Sequence, residues 1–440
     1  MNTTNLMLAG AAAIFASAAG SAIAADAAKI NWSAAPKSEI TLFYPGQASY
    51  QYLLSEAHGK GAKGVREGRS CVRCHEGEEA SIGNTIVSGK RLEPNPIVGL
   101  RGTIPLTVQA AYDSENLYLR FSWPAKEAGA FHEYVVYQDG KWTEYGGHRA
   151  KAAVASGKMR ASYEDRLAIM LGDGKGVPAF RNQGCFITCH NDMRFMPNEA
   201  KSDAVAAHPY LGKSGLRRTD IRKYLAESRT AMGPTGGWDK VKPKEELEAL
   251  RAKGAFLDLW QWRAFRSNPV GAADDGYVFE YRLFDAGRNP FFGNWDGAKS
   301  QPRFMFDPAK NEGRAGLAAA QFRDPKAPTL NDKNRVPYDP NFKWRNGDLL
   351  PAHGNEVPDG SAGDNRPVVG TWANGTWTVL WTRKLNTGNK DDIVLRPGES
   401  YPVGFSVHDD NVTARFHHVS FPLMLSVGGK YGDIQAARVK

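Results

Sequence analysis

All four cysteines of this 440-residue chain lie in two short motifs, and each motif ends in a histidine. The first reads Cys71-Val72-Arg73-Cys74-His75, the C-x-x-C-H spacing that attaches a c-type haem. Two thiols add across the haem vinyl groups, and the adjacent histidine supplies an imidazole to the iron. The alternatives are a disulfide or half of a zinc site, but a zinc ribbon needs a second ligand pair nearby, which the sequence lacks. The motif therefore predicts a covalent haem on Cys71 and Cys74, with His75 as an iron ligand.

The second motif has one additional residue between its cysteines. Residues 185–190 read Cys-Phe-Ile-Thr-Cys-His, so the Cys-His step that positions the iron ligand is retained. One extra loop residue can be accommodated as a bulge, and the alternative is a disulfide or a free pair of thiols. Because the two motifs use every cysteine, we predict a second covalent haem on Cys185 and Cys189, with His190 on the iron.

Each haem needs a second axial ligand if it is to act purely as an electron carrier, and His and Met are the usual ones. No methionine lies between Met7 and Met159, which excludes a local Met ligand for the first haem. His58 is the only other histidine before His132. We therefore predict ligation of the first haem by His58 and His75, the alternative being a solvated loop histidine.

Three histidines near the C-terminus are candidates for the opposite face of the second haem. His417 and His418 lie in a stretch rich in strand-forming residues, where neighbouring side chains point to opposite faces. His417 would share its face with Val419 and Phe421, the more apolar side. This favours His417 as the ligand, with His408 and His418 as alternatives.

The N-terminus predicts export. The stretch from Leu6 to Ala25 is apolar and rich in alanine, and Ala22-Ile23-Ala24 has the small-x-small pattern of a cleavage site. A signal peptide over residues 1–24 would place the protein in the periplasm, although the usual positive charge before the apolar run is missing. A buried N-terminal helix is the alternative. No other stretch approaches 18 consecutive apolar residues, so we predict no transmembrane span.

Composition is that of a globular protein, with 42% hydrophobic and 23% charged residues, which excludes a disordered chain. The net charge is +9, and no nucleotide, flavin or nucleic-acid motif is apparent. Basic residues cluster around the first motif, where they would suit an acidic redox partner or form a solvated loop. They are Lys60, Lys63, Arg66, Arg69 and Arg73.

The chain divides into an N-terminal and a larger C-terminal part. Residues 25–100 are polar and rich in glycine, which fits a small haem-wrapping cytochrome c module. Residues 101–440 contain short segments rich in strand-forming residues, separated by turn residues, and these predict a mainly β, antiparallel sandwich with long loops. Helical patterns are limited to Thr219–Met232 and Pro243–Arg263.

One segment resembles a known family. Residues 258–266 read Asp-Leu-Trp-Gln-Trp-Arg-Ala-Phe-Arg, which is similar to the D-x-W-x-W-[KR] segment of ethylbenzene dehydrogenase-type haem-binding domains. These are the γ-subunit-like cytochromes associated with molybdenum enzymes. His417-x-x-Ser420 resembles the place where that family carries Lys-x-x-Ser, with the lysine on a b haem. The family's other ligand, a methionine, falls near residues 184–190.

The resemblance covers roughly residues 100 to 440 and implies a DOMON-like β-sandwich with a haem held between its loops and strands. This chain departs from the γ subunits, since His190 and His417 replace the Met and Lys ligands and the haem becomes covalent. The added C-x-x-C-H module resembles that of diheme c-type cytochromes in the same superfamily.

We therefore predict a periplasmic diheme c-type cytochrome that transfers single electrons between redox partners. It would carry two covalent haem c groups and no catalytic residues, because two imidazoles on each iron leave no open position for a substrate. Its partners would include a membrane-bound or molybdenum-containing oxidoreductase. The alternatives are a haem enzyme, such as a small-molecule reductase or peroxidase, and a haem-based sensor, each with one open coordination site.

Overall fold

β-Strands dominate the computed structural model of the chain, which describes residues 26–233 and 236–439. They form where β-branched, aromatic and leucine side chains alternate or run together, because such residues suit a pleated, buried surface. The predicted signal peptide, residues 1–24, lies outside the described residues. The strands are β1 (Lys37–Phe43), β2 (Thr103–Tyr112), β3 (Asn116–Pro124), β4 (Tyr134–Gln138), β5 (Lys141–Tyr145), β6 (Arg166–Leu171), β7 (Leu257–Arg263), β8 (Gly276–Val278), β9 (Arg282–Phe284), β10 (Phe291–Gly293), β11 (Trp295–Asp296), β12 (Gln301–Pro302), β13 (Phe304–Phe306), β14 (Arg335–Pro337), β15 (Leu349–Pro351), β16 (His353–Asn355), β17 (Val368–Ala373), β18 (Thr376–Lys384), β19 (Ser400–His408), β20 (His418–Val419), β21 (Leu423–Ser426) and β22 (Ile434–Arg438).

The helices are short and lie between the strands. They are α1 (Tyr50–Leu54), α2 (Lys60–Arg66), α3 (Val72–His75), α4 (Glu79–Val87), α5 (Ala152–Ala155), α6 (Pro178–Gln183), α7 (Ser202–Ala207) and α8 (Lys244–Ala252). Within residues 26–233 and 236–439, none of these helices has the length and apolar character that crossing a membrane requires.

One large sheet organises the protein, in the order β17-β18-β3-β2-β1-β20-β19-β6-β7-β8-β9. β21 pairs with β19 and β22, and β22 pairs with β2, so that β1, β2, β22, β21, β19 and β20 close a ring. The prediction of a mainly β fold is confirmed. The structure differs from the predicted antiparallel sandwich in two respects, since six strands form a closed barrel and β22 runs parallel to both β2 and β21. The parallel pairs arise because residues 427–433 carry the chain across the barrel instead of turning it back as a hairpin.

The N-terminal part shares this sheet. β1 pairs along its whole length with β2, from Lys37 opposite Gln109 to Phe43 opposite Thr103. Helices α1 to α4 lie between these two strands in the chain and contain the first cysteine motif. The predicted boundary at residue 100 therefore falls in the connection that leads into β2.

Both predicted helices are largely wrong. Thr219–Met232 is extended apart from one short 3₁₀ turn, because its backbone bonds to other segments; the Leu225 N–H, for example, donates to the Phe279 carbonyl over 2.8 Å. Pro243–Arg263 is helical only over α8. Gly254, with a φ of +85°, follows the helix, and the residues beyond it form β7, which is buried on both faces.

The core lies inside the barrel and against the sheet that continues from it. Trp260 and Trp262 of β7 are fully buried. The ring of Trp262 lies 5.0 Å from that of Trp377 and 6.0 Å from that of Trp123, in edge-to-face geometry. These tryptophans are packing residues that hold β7 against β3 and β18.

Candidate haem sites

The first motif forms a helical turn. The N–H groups of Cys74 and His75 donate to the Cys71 carbonyl over 3.2 and 3.1 Å. Residues three and four apart lie on one side of a helix, so this turn presents both thiols and the imidazole together. None of the four cysteines, all of which the structure describes, forms a disulfide. Burial raises the pKa of the Cys71 thiol to about 11, while Cys74 is exposed.

His58 and His75, the residues predicted as axial ligands, lie side by side. Their ring centres are 6.2 Å apart and their planes differ by 20°. Two imidazoles on one metal, each with a metal–nitrogen bond of about 2 Å, place their ring centres roughly 6 Å apart. Nδ1 of His58 lies 2.9 Å from the Leu53 carbonyl oxygen, and Nδ1 of His75 lies 2.8 Å from Glu78 Oε2. Such bonds orient metal-binding imidazoles and would leave Nε2 of each ring available to a metal.

Gly61 makes room for the His58 ring. A Cβ atom on Gly61 would lie 2.6 Å from Cε1 and 2.7 Å from Nε2 of that imidazole. Burial lowers the pKa of His58, so its neutral, metal-binding form is favoured. The neighbouring glycine is a signal in the sequence that this histidine is closely packed.

The second motif forms a 3₁₀ turn at Gly184–Thr188 that buries its first thiol. The Thr188 hydroxyl donates to the Cys185 carbonyl over 2.7 Å, and the Cys189 N–H donates to the Phe186 carbonyl over 3.1 Å. Burial raises the pKa of the Cys185 thiol to about 11. The extra residue is thus absorbed in a tight turn that keeps both cysteines near one another.

Gly404 on β19 faces the sulfur of Cys185. A Cβ atom at this position would lie 2.6 Å from Cys185 Sγ, well inside van der Waals contact.

We expect Gly404→Ala to displace the thiol, to lower the free energy of unfolding by about 1–3 kcal/mol, and to reduce haem attachment at the second motif. Intact mass and haem content per chain measure this effect. Gly293→Ala is the matched control, because a Cβ there meets no atom within 4 Å; equal haem content in both variants would contradict the expectation.

A cavity of about 540 Å³ lies beside the second motif. Its wall contains both thiols of the motif together with His408 and His417, which come from the far end of the chain. Its volume is within the range of small-molecule and cofactor sites. Two methionines, Met193 and Met196, also line it.

His417 and His408 face this cavity as a stacked pair, with ring centres 4.8 Å apart. Nδ1 of His417 lies 2.7 Å from the Ala414 carbonyl oxygen, which leaves Nε2 available. Burial lowers the pKa of His417 to about 3 and that of His408 well below its usual value, so both rings are neutral. His418 is turned away from the cavity, and its Nε2 lies 2.8 Å from the Arg101 carbonyl oxygen.

His190 is not brought to the cavity wall. Its ring is fully buried and stacks on that of Tyr224, with ring centres 3.9 Å apart, and its Nε2 lies 3.0 Å from the Tyr224 carbonyl oxygen. Burial lowers the pKa of His190 to about 3, and Nδ1 has no hydrogen-bond partner among the described residues. The structure therefore brings together Cys185, Cys189 and His417, with His190 directly behind the turn.

The cavity is strongly cationic, a feature that the sequence analysis missed. Several of these cations are paired with buried carboxylates, such as Arg266 with Glu164. Among the described residues, the Arg166 side chain bonds instead to the Val412 carbonyl and the Thr413 hydroxyl, and Lys223 Nζ lies 3.3 Å from Cys189 Sγ. The cationic residues of the wall are Arg166, Arg194, Arg217, Arg218, Lys223, Arg222, Arg263, Arg266, Arg282 and Arg415.

The segments that carry the two motifs are in contact. The Cys71 N–H donates to the Asn182 carbonyl over 3.0 Å, just before the second motif begins. The ring of Phe421 lies 6.2 Å from that of His75, at an interplanar angle of 10°, and 6.5 Å from that of Phe186. An aromatic contact therefore connects His75 of the first motif to Phe186 of the second.

Comparison with known proteins identifies the family of the chain. The family model described as ethylbenzene dehydrogenase matches residues 29–420. Cytochrome c-552 of Stutzerimonas stutzeri is 27% identical over 431 residues, which cover 97% of this chain and 98% of the relative. Cytochrome c-551 of Rhodocyclus tenuis is 30% identical over 171 residues, or 38% of this chain and 58% of the relative. Since the family model spans most of the chain, the protein belongs to the ethylbenzene dehydrogenase family, as the segment around Trp260 and Trp262 predicted.

Proposed function

We propose that this protein is a periplasmic diheme c-type cytochrome that passes single electrons between redox proteins. The observation that carries the proposal is the pair of imidazoles, His58 and His75, beside a C-x-x-C-H turn. The two relatives are named cytochromes c, which supports the same function. Export depends on the signal peptide expected at residues 1–24, and the N-terminal sequence of the mature protein tests it.

At the first site, the chain supplies both thiols and both axial imidazoles. Glu78 and the Leu53 carbonyl hold the two rings in orientation through Nδ1. A haem c bound here provides a one-electron couple. With a protein nitrogen on each side of the metal, no position remains for a substrate, which favours electron transfer over catalysis.

At the second site, Cys185 and Cys189 supply the thioether bonds, and His190 and His417 are the proposed axial ligands. Haem carries two propionate carboxylates, and the cations of the cavity wall match that charge. Arg166 and Lys223 are suited to this role because neither is paired with a carboxylate among the described residues. The His190 ring would have to leave the Tyr224 carbonyl to bind iron.

Electron exchange between the two sites is supported by their contact. The Phe421 ring is near both His75 and Phe186, and hydrogen bonds join the segments that carry the two motifs. Close approach of this kind allows the two haems to act as one relay.

Optical and EPR spectra of the exported protein test the proposal. We expect low-spin ferric iron at both haems and no CO binding after reduction. His417→Ala should make one of the two haems high-spin and CO-reactive, because the variant lacks an axial nitrogen. His418→Ala is the matched control, since that ring is turned away from the cavity.

Two outcomes would oppose the proposal. An unchanged spectrum in His417→Ala rejects this residue as a ligand and directs attention to His408, its stacked neighbour. A CO-reactive haem in the unmodified protein favours the alternatives, a haem enzyme or a sensor.

The proposed docking surface is the exposed basic cluster around the first motif. Glu67 offsets part of its charge, with carboxylate oxygens 3.8 Å from Lys63 and 2.6 Å from Arg69. We expect the bimolecular rate of electron transfer to an acidic redox protein to fall by about tenfold between low and high ionic strength. Stopped-flow kinetics over a salt series measures this, and a rate that does not respond to salt would exclude an electrostatic encounter.

A further inference from the structure

We propose that this protein binds one Ca²⁺ ion in a buried carboxylate cluster at Asp258, Asp275, Asp285 and Asp392. Carboxylate oxygens of Asp258, Asp275 and Asp392 all lie within 4.8 Å of one another. The four side chains belong to residues that are 7% exposed or less. Nothing in the haem function uses this cluster.

Three segments bring the four carboxylates together. Asp258 is on β7, and Asp392 follows β18. Asp275 and Asp285 are at the open end of the β8–β9 hairpin, opposite each other across the strands, and the Asp285 N–H donates to the Asp275 carbonyl over 3.3 Å. Like charges at facing positions are unfavourable in a sheet unless a counter-charge lies between them.

One cation of the protein itself lies in the cluster. Arg383 of β18 bonds to Asp275 and Asp392, and its Nη2 lies 3.7 Å from Asp258 Oδ2. Its single positive charge faces three carboxylates, and a fourth, Asp285, lies beside Asp275 across the hairpin. Buried charges need to be paired, so the site requires either further positive charge or bound protons.

Unpartnered oxygens favour a bound cation over bound protons. Both carboxylate oxygens of Asp285 are buried without a hydrogen-bond partner in the described part of the chain, and so is Oδ1 of Asp258. A protonated Asp285 would still lack an acceptor for its hydroxyl, so protonation does not satisfy these atoms.

The donor set selects the metal. All of its donor atoms are carboxylate oxygens. The Thr387 hydroxyl, which donates a hydrogen bond to Asp392, lies beside them. Ca²⁺ takes six to eight oxygen ligands in flexible geometry, whereas Mg²⁺ retains several waters and suits a buried cluster less well. Such an ion would tie β7 to the β8–β9 hairpin and to the loop after β18. The opposite face of β7, with Leu259, Gln261 and Arg263, lines the haem cavity.

Metal analysis of the exported holoprotein and its thermal unfolding test the site. We expect about one Ca²⁺ per chain after dialysis, a Tm lowered by about 5 °C or more in EDTA, and recovery on adding Ca²⁺. Asp285→Asn should lose the ion and the response of the Tm to EDTA. Asp203→Asn, an exposed carboxylate on α7, should behave like the unmodified protein.

The result that overturns the proposal is an unmodified protein without stoichiometric Ca²⁺ whose Tm responds to neither EDTA nor Ca²⁺. Retention of one Ca²⁺ by both Asp285→Asn and Asp258→Asn would also overturn it, because the ion would then lie elsewhere. If either variant fails to fold, the metal content and Tm of the unmodified protein decide the question.

Discussion

A chain that carries Cys185→Ala and Cys189→Ala is expected to contain one covalent haem instead of two. Thioether bonds form only at cysteine sulfurs, and the two motifs contain all four cysteines of the chain. The intact mass under denaturing conditions should therefore fall by one haem group. The pyridine haemochrome yield per chain should fall by half.

The matched control is the double variant Cys71→Ala and Cys74→Ala, which should lose the other covalent haem. In the Cys185/Cys189 variant, the cationic cavity and His417 would still hold some haem without a covalent bond. The haem absorbance of the native variant should therefore exceed the amount expected from the covalent haem seen in the denatured mass. If the Cys185/Cys189 variant keeps the same number of covalent haems as the unmodified protein, the C-x-x-x-C-H motif is not an attachment site.

Replacing His58 by alanine is expected to make the first haem high-spin and CO-reactive, so that about half of the iron changes its spectrum. The reason is that His58 and His75 are positioned as the two axial ligands of one metal, with ring centres 6.2 Å apart. EPR spin quantification and CO difference spectra measure the change. Gly61→Ala should give a smaller effect of the same kind, because its Cβ would press on the His58 ring.

His208→Ala is the control for this experiment, since that imidazole lies elsewhere and bonds to the Asp239 carbonyl. If His58→Ala keeps fully low-spin iron at both haems, another residue occupies that axial position. His58 would then be a loop histidine that does not bind iron, and the alternative stated from the sequence, a solvated loop histidine, would be favoured.

Local sequence patterns were most informative about features that depend on a few neighbouring residues. Cys71 and His75 are four residues apart, and a single helical turn places them together whatever the rest of the chain does. The segment around Trp260 identified the family, which the match over residues 29–420 confirms. The same segment was also part of a predicted helix and is a strand, because burial on both faces of β7 outweighs helical propensity.

Long-range contacts determine the closure of the barrel and the lining of the cavity. The pairing of β2 with β22 closes the barrel between segments more than 300 residues apart, and no short pattern encodes it. Cations as distant in the chain as Arg166 and Arg415 line one cavity, and each of them alone resembles an ordinary charged residue.

By itself, the sequence determined where thiols and histidines stand at haem-binding spacing, that the fold is mainly β, and which family the chain belongs to. Only the tertiary structure decided that His417 faces the cavity while His418 turns away, that His190 stacks on Tyr224, and that Asp258, Asp275 and Asp392 share a buried cluster. The physical reason is that spacing along the chain sets the geometry of one turn or strand, whereas burial and charge pairing depend on segments that meet only after the barrel has closed.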